Sequence, residues 1–332
     1  MIPPEVWERL EAGGATGSGH LRQRVNIQSP VDVYVAVQRP SGSRVLALGF
    51  DQPPRTSLAH DVRLRGLRVS EAPFPIDQKP WTVSISPASP EDNELFGELA
   101  DDLVSVLGGT ATGDQASDAL AARLESWHRF LEHAGSAGLS AEAAAGLYGE
   151  LWCLRDVIAP AVGVHRAVLA WRGPLGANQD FQGLGWCVEV KSSRQLAPAT
   201  VRVSNERQLD AADTFLALAV VGIEERPGGP ESLVGLIASI RTGIVRDPEA
   251  SATFEDRLLS SGFLQAQADS YETIGYAVRK TMVYQVRDAF PRITEAVLPV
   301  GLGTVSYDLS LDACEPYRLE LAQFQAALKE LQ

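Results

Sequence analysis

The spacing of apolar and polar positions changes character along the chain. Residues 21–88 hold short β-rich runs. "DVYVAVQ" and "RVLALGF" are dense in β-branched and aromatic residues, and "VRLRGLRVS" and "WTVSIS" alternate apolar with polar or basic positions. That two-residue period belongs to strands with one buried face. Proline and glycine separate the runs. From Ser89 the period lengthens: "SPEDNELFGELADDLVSVL" reads as a helix with Ser89 or Asp92 as its cap and acids in its first turn. A second helix is expected over about Gln115–His133, and the glycines and serines of "HAGSAGLS" place a domain boundary near residue 135.

Beyond that boundary helices and strands mix. "SAEAAAGLYGELWCLRDVI" predicts a helix capped by Ser140, and "AVLAWRG" predicts a strand. "QDFQ" and "WCVEVKSS", joined by "GLG", predict a hairpin, and "VRVSNERQLDAAD" a strand leading into a helix start. "TFLALAVVGIEE" is an unbroken apolar run, the signature of a strand buried on both faces. Residues 231–263 read as helical, 272–287 and 292–309 as containing strands, and "EPYRLELAQFQAALKEL" as a closing amphipathic helix. The expectation is an α/β domain over 136–332, preceded over 1–135 by a β-rich module with two following helices.

Composition narrows the chemistry. The 332 residues are 45% hydrophobic, enough to bury a sizeable core in two domains. A net charge of −13 argues against a surface that grips nucleic acid by bulk electrostatics. Contact with a phosphodiester then needs divalent metal, a local basic cluster, a basic partner, or a homo-oligomer that assembles a basic groove. Arg63, Arg65 and Arg68 form one such cluster, although a solvated strand face fits them equally well. The three cysteines, Cys153, Cys187 and Cys314, have no CxxC partner, which speaks against structural zinc and for buried thiols in a reducing cytoplasm. No apolar run approaches the ~18 residues of a membrane span, and "MIPPEVWERLEAGG" lacks a signal-peptide core. A cytoplasmic protein with no membrane contact is expected. GxGxxG, P-loop, GxSxG and HExxH patterns are all missing.

The chemistry-bearing stretch is "DFQGLGWCVEVKSS", Asp180 to Ser193. The hairpin turn folds the strand carrying Glu189 back beside Asp180, so both carboxylates can reach one ion. Hard Mg²⁺ takes oxygen ligands of this kind, and the carbonyl of Val190 is a further candidate. Glu189 and Lys191 are two apart and share a strand face, while Trp186, Val188 and Val190 face the core. The same charges would also make a surface cross-strand ion pair. Asp77-Gln78-Lys79 repeats the acid-x-lysine triplet, but prolines flank it and no interior strand can form there. Context, not the triplet, carries the information. Upstream, Glu150 sits in "GLYGELWCL" beside Gly146 and Gly149, on a helix whose Leu147, Leu151 and Leu154 form an apolar stripe. Downstream, Arg207 and Gln208 stand in the expected first helical turn, where they could meet a phosphate or complete a cap begun by Asn205.

The order helix with Glu150, strand, Asp180, hairpin, Glu189-x-Lys191, strand, helix resembles the PD-(D/E)XK nuclease superfamily. "GLYGELWCL", "AWRGP", "QDF", "VEVKSS" and "SNERQL" are more closely similar to the bacterial family of PD-(D/E)XK motif proteins, and the likeness covers most of the chain. It implies a restriction-endonuclease-like mixed sheet flanked by helices. It implies Asp180 and Glu189 as metal ligands, Lys191 as the catalytic lysine, and Glu150 as a further metal or water ligand. Gln208 and Ser193 match positions near the active edge. The implied activity is a Mg²⁺- or Mn²⁺-dependent nuclease acting on DNA in anti-phage defence, beside a helicase-like or MutL-like ATPase. The alternative is a catalytically silent interaction subunit with the same fold. One departure stands out: Gln179, not proline, precedes Asp180.

Overall fold

A computed structural model describes residues 2–13, 18–55, 66–71, 79–133, 138–195, 198–210 and 214–331. The chain separates into two compact units, Met1–Ala137 and Gly138–Gln332. The first opens with helix α1 (Pro4–Ala12), started by a proline whose missing N–H costs nothing in a first turn, and burying Val6, Trp7 and Leu10. The pattern-based reading begins at residue 21, so α1 is an addition to it. Strands β1 (Gly19–Arg24), β2 (Asp32–Arg39), β3 (Arg44–Phe50), β4 (Leu67–Ser70) and β5 (Trp81–Pro87) form one antiparallel sheet in the order β1-β2-β3-β5-β4. Helices α2 (Asn93–Gly108) and α3 (Gly113–His133) follow. Their apolar faces supply Phe96, Leu99, Leu103, Leu120, Leu124, Trp127 and Phe130 to the core. Arg68 lies on β4 and donates to the Ala88 carbonyl; Arg63 and Arg65 lie outside the described residues.

The second unit starts with α4 (Ala141–Trp152), capped by the Ser140 hydroxyl as its sequence predicts. A π-helical turn (Cys153–Ile158) carries it into α5 (Ala159–Val162) and α6 (Val164–Ala170). Here the expected strand "AVLAWRG" is overturned. Four of its residues are the end of α6, and only Trp171 makes an isolated bridge, to Phe181. A short apolar run does not distinguish a buried helix from a buried strand by its period; Ala167, Val168 and Trp171 are all buried, as a packed helix face and its exit require.

The hairpin forms as expected, from β6 (Phe181–Gly183) and β7 (Trp186–Ser193). Asp180 immediately precedes β6, at the outer end of the hairpin's first strand. Then come β8 (Thr200–Val203), a 3₁₀ turn (Glu206–Leu209) where the pattern predicts a helix start, and β9 (Phe215–Pro227). After β9 follow β10 (Glu231–Ser232), α7 (Leu233–Ile244), α8 (Pro248–Ser260), α9 (Asp269–Glu272), β11 (Ile274–Val286) and β12 (Tyr307–Ser310). The closing helix is shorter than its pattern. "EPY" completes a 3₁₀ turn, "RL" forms β13 (Arg318–Leu319) on β11, and only Leu321–Glu330 make α10.

The main sheet runs β10-β11-β9-β7-β6 with β13 beside β11, and β7 lies parallel to β9 in an otherwise antiparallel set. β9 is buried along Leu216–Ile223, as its unbroken apolar run requires. One face packs Trp186, Val188 and Val190 against α4, α6, α7 and α10. The other packs Cys187 and Leu218 against the β8–β12 ribbon. This is the restriction-endonuclease-like mixed α/β architecture. All three cysteines are buried and unpaired. No helix among the described residues is long and apolar enough to cross a membrane.

Gly149 fixes how closely α4 rides on β7. A Cβ there would lie 1.8 Å from Ser192 Oγ and 3.1 Å from Ser192 Cβ. Gly149→Ala should cost about 1–3 kcal/mol by overpacking, read as a lower denaturation midpoint, and adding Ser192→Gly should recover most of it. A neutral Gly149→Ala would contradict this packing.

Candidate active site

β7 distributes its side chains as a strand must. Glu189 and Lys191 leave on the face of Cys187, and Val188 and Val190 enter the helix-covered core. The two-residue turn Leu184–Gly185, with Gly185 at φ +75°, brings β6 back alongside so that Phe181 pairs with Val188. Asp180 is thereby seated against β7. Its Oδ2 accepts the Val190 amide at 2.7 Å. Its backbone carbonyl accepts the amides of Arg172 and Gly173 at 2.6 and 2.9 Å. Val190 thus meets the site through its N–H.

Glu150 reaches the same place from α4. Its Oε2 accepts the indole N–H of Trp171 at 2.8 Å. Gly173 lies between the two acids: a Cβ built on it would sit 2.8 Å from Asp180 Oδ1 and 3.0 Å from Glu150 Oε2. Both oxygens therefore lie against the Gly173 backbone, closer than a side chain there would allow. Glu189 completes the group. Its Oε1 meets Lys191 Nζ at 2.8 Å, while its Oε2 is buried with no hydrogen-bond partner. Lys191 Nζ also donates to Gln208 Oε1 at 3.0 Å, an oxygen that accepts the Ser204 amide at 2.8 Å as well.

Three carboxyls and one lysine make an electrostatically unbalanced group. Desolvation pushes Glu189 well above the usual carboxylate range, with the neighbouring Asp180 adding to it and Lys191 opposing. Desolvation followed by the Asp180 charge pushes Glu150 up to about 8. Asp180 rises to about 6 through desolvation, held down by the Val190 amide and Lys191. A divalent cation would offset this crowding, and an oxygen-only donor set suits Mg²⁺ or Mn²⁺. Among the described residues no three acid, histidine or cysteine side chains close around one point. Two carboxylates lie against Gly173, which matches the sparse, largely hydrated coordination that Mg²⁺ accepts. The orphaned Glu189 Oε2 is the further oxygen at hand. The residues fit such an ion.

The structure brings Asp180, Glu189, Lys191, Glu150, Val190 and Gln208 together. It leaves others outside. Arg207 pairs with Glu295 at 2.5 Å on the surface, and Ser193 Oγ accepts the Gln195 amide. Asn205 caps the 3₁₀ turn through the Arg207 amide, as the capping alternative had it. The rival triplet is no site: Lys79 lies outside any strand and pairs with Asp51, and Asp77 and Gln78 lie outside the described residues. Sequence reasoning missed Trp171 and Gly173, and marked Gln179 only as a departure from proline. The signal for the first two was "WRG" immediately before the hairpin; misread as strand, it had no reason to touch an acid.

The family model "Putative PD-(D/E)XK family member" (DUF4420) matches residues 4–312. No curated protein and no solved structure matches the chain. With that span, and with the acids and lysine of the signature gathered at one hairpin, the chain belongs to the DUF4420 family of PD-(D/E)XK proteins.

Proposed function

We propose that the protein is a divalent-metal-dependent nuclease that hydrolyses phosphodiester bonds, with DNA as its substrate. The observation that carries the reading is that Glu150 Oε2 and Asp180 Oδ1 both lie against the backbone of Gly173, with Glu189 and Lys191 paired on the adjoining strand. Asp180 and Glu150 would hold Mg²⁺ or Mn²⁺, and Glu189 would join them through its unpaired Oε2. When bound, the ion supplies charge neutralisation at the phosphate and an acidified water.

The chain's own groups do the rest. The Val190 amide and the paired amides of Arg172 and Gly173 fix Asp180, so that its carboxylate needs little reorganisation. Trp171 orients Glu150. Lys191, fixed by Glu189 and Gln208, presents a cation to the negative charge that builds on the phosphate during attack. The net charge of −13 makes a basic partner or self-assembly the means of holding DNA. A cytoplasmic anti-phage setting beside a helicase-like or MutL-like ATPase is the context that the family likeness suggests.

Incubation with several nucleic acids in Mg²⁺ or Mn²⁺ should yield metal-dependent cleavage. Asp180→Ala, Glu189→Ala and Lys191→Ala should each lower its rate by about 10²–10³-fold. Cleavage surviving all three would leave the interaction-subunit reading in its place.

Metal removal has its own signature. In chelator the raised carboxyls keep protons that the unfolded chain has released, so the folded state binds more protons between about pH 4 and pH 8. Stability should therefore fall as pH rises through that window, and saturating Mn²⁺ should flatten the fall. Melting curves at stepped pH read both; equal slopes with and without metal would contradict the site. Gly173→Ala should fold yet lose most of the Mn²⁺-induced rise in melting temperature, because its Cβ would push against both carboxylate oxygens and displace them. An undiminished rise would place the ion elsewhere.

A further inference from the structure

Gln179 stands where the superfamily carries proline, and its side chain is spent on the opposite half of the site. It is 4% exposed, directly before Asp180 in sequence. Its Nε2 donates to the Arg207 carbonyl at 2.7 Å, with the Gln208 and Asp210 carbonyls at 3.4 and 3.5 Å. Its Oε1 accepts from the Gln182 side-chain Nε2 at 3.1 Å. These carbonyls belong to the 3₁₀ turn and its C-cap Asp210, and the turn's Gln208 side chain accepts from Lys191 Nζ. A turn of four residues has few hydrogen bonds of its own, so outside contacts set its position. On one side it is fastened to the 292–305 segment, through Arg292 to the Leu209 carbonyl and through Glu206 to the Thr304 and Val305 amides. Gln179 fastens it to the segment that carries Asp180.

We infer that Gln179 is a positioning residue: acting through the Glu206–Leu209 turn and Gln208, it sets where Lys191 stands relative to the Asp180 carboxylate. Two adjacent residues thereby divide the labour, one presenting the acid and the other placing the cation. Proline at 179 could not do this, having no side-chain donor. The inference takes Lys191 to be the catalytic lysine, as proposed above, but the geometric coupling can be read without any cleavage.

The full chain has four lysines, Lys79, Lys191, Lys280 and Lys329, and the last two are exposed. Reductive methylation at fixed pH, followed by mass spectrometry, gives a rate for each. Lys191, with a side chain 15% exposed and two partners, should label more slowly than Lys280 and Lys329 in the unsubstituted protein. Gln179→Met, which keeps side-chain length and removes the donor, should raise the Lys191 rate at least fivefold and leave Lys280 and Lys329 unchanged. The Mn²⁺-induced rise in melting temperature should persist. In cleavage, Gln179→Met should lower kcat with KM within about twofold, and should cost nothing further in a Lys191→Ala background. Gln179→Asn keeps an amide but withdraws it by one methylene, and should give the intermediate labelling rate if the methionine variant does not fold. An unchanged Lys191 rate in a folded variant overturns the inference, as does an equal kcat loss with and without Lys191. Normal coupling in a protein that cuts nothing would overturn the nuclease reading and spare this one.

Discussion

The site is governed by the desolvation of three carboxyls buried together beside one lysine. Burying like charges costs free energy unless protons, metal or donors offset it. Glu150, Asp180 and Glu189 each reach well above their ordinary range, chiefly through desolvation, and a single lysine is too little to bring them all back. A fold does not accumulate such a cost at random. The structure around it acts to hold the oxygens in place: two backbone amides on the Asp180 carbonyl, a third on its carboxylate, and an indole on Glu150. Charge crowding of this kind marks functional sites more often than structural ones.

The architecture exists to make that crowding stable. β7 is parallel to the deeply buried β9 and covered by α4, so the strand bearing Glu189 and Lys191 has little freedom to relax. Close approach of α4, permitted at Gly149, brings Glu150 within reach of the hairpin. On the other face, the β8–β12 ribbon and the 3₁₀ turn deliver Gln208 to Lys191. Glu150 and Gln208 thus reach the site from opposite layers of one sheet. Their meeting depends on register, and a one-residue slip in β7 would send Glu189 and Lys191 into the apolar layer.

Much of this was legible in the sequence. The "GLG" turn and the alternation of "WCVEVKSS" specify the hairpin, and Glu189 and Lys191 share a face because strand geometry leaves no other outcome. The helix of Glu150 was equally plain, with its serine cap and leucine stripe. Illegible were the contacts made by backbone and by the absence of atoms. Gly173 acts by lacking a Cβ, and Val190 by its amide, which every non-proline residue possesses. Gln179 looked like a missing proline because its partners are carbonyls almost thirty residues away, and no local pattern encodes them. The "AVLAWRG" error has the same root: a run too short for its period to decide was settled by tertiary packing.

Anomalous scattering from a crystal soaked in Mn²⁺ tests the central claim most directly. The account places a peak at about 2.1 Å from both Glu150 Oε2 and Asp180 Oδ1. A fully soaked crystal with no peak at these oxygens, or with its only peak at the surface, would contradict it.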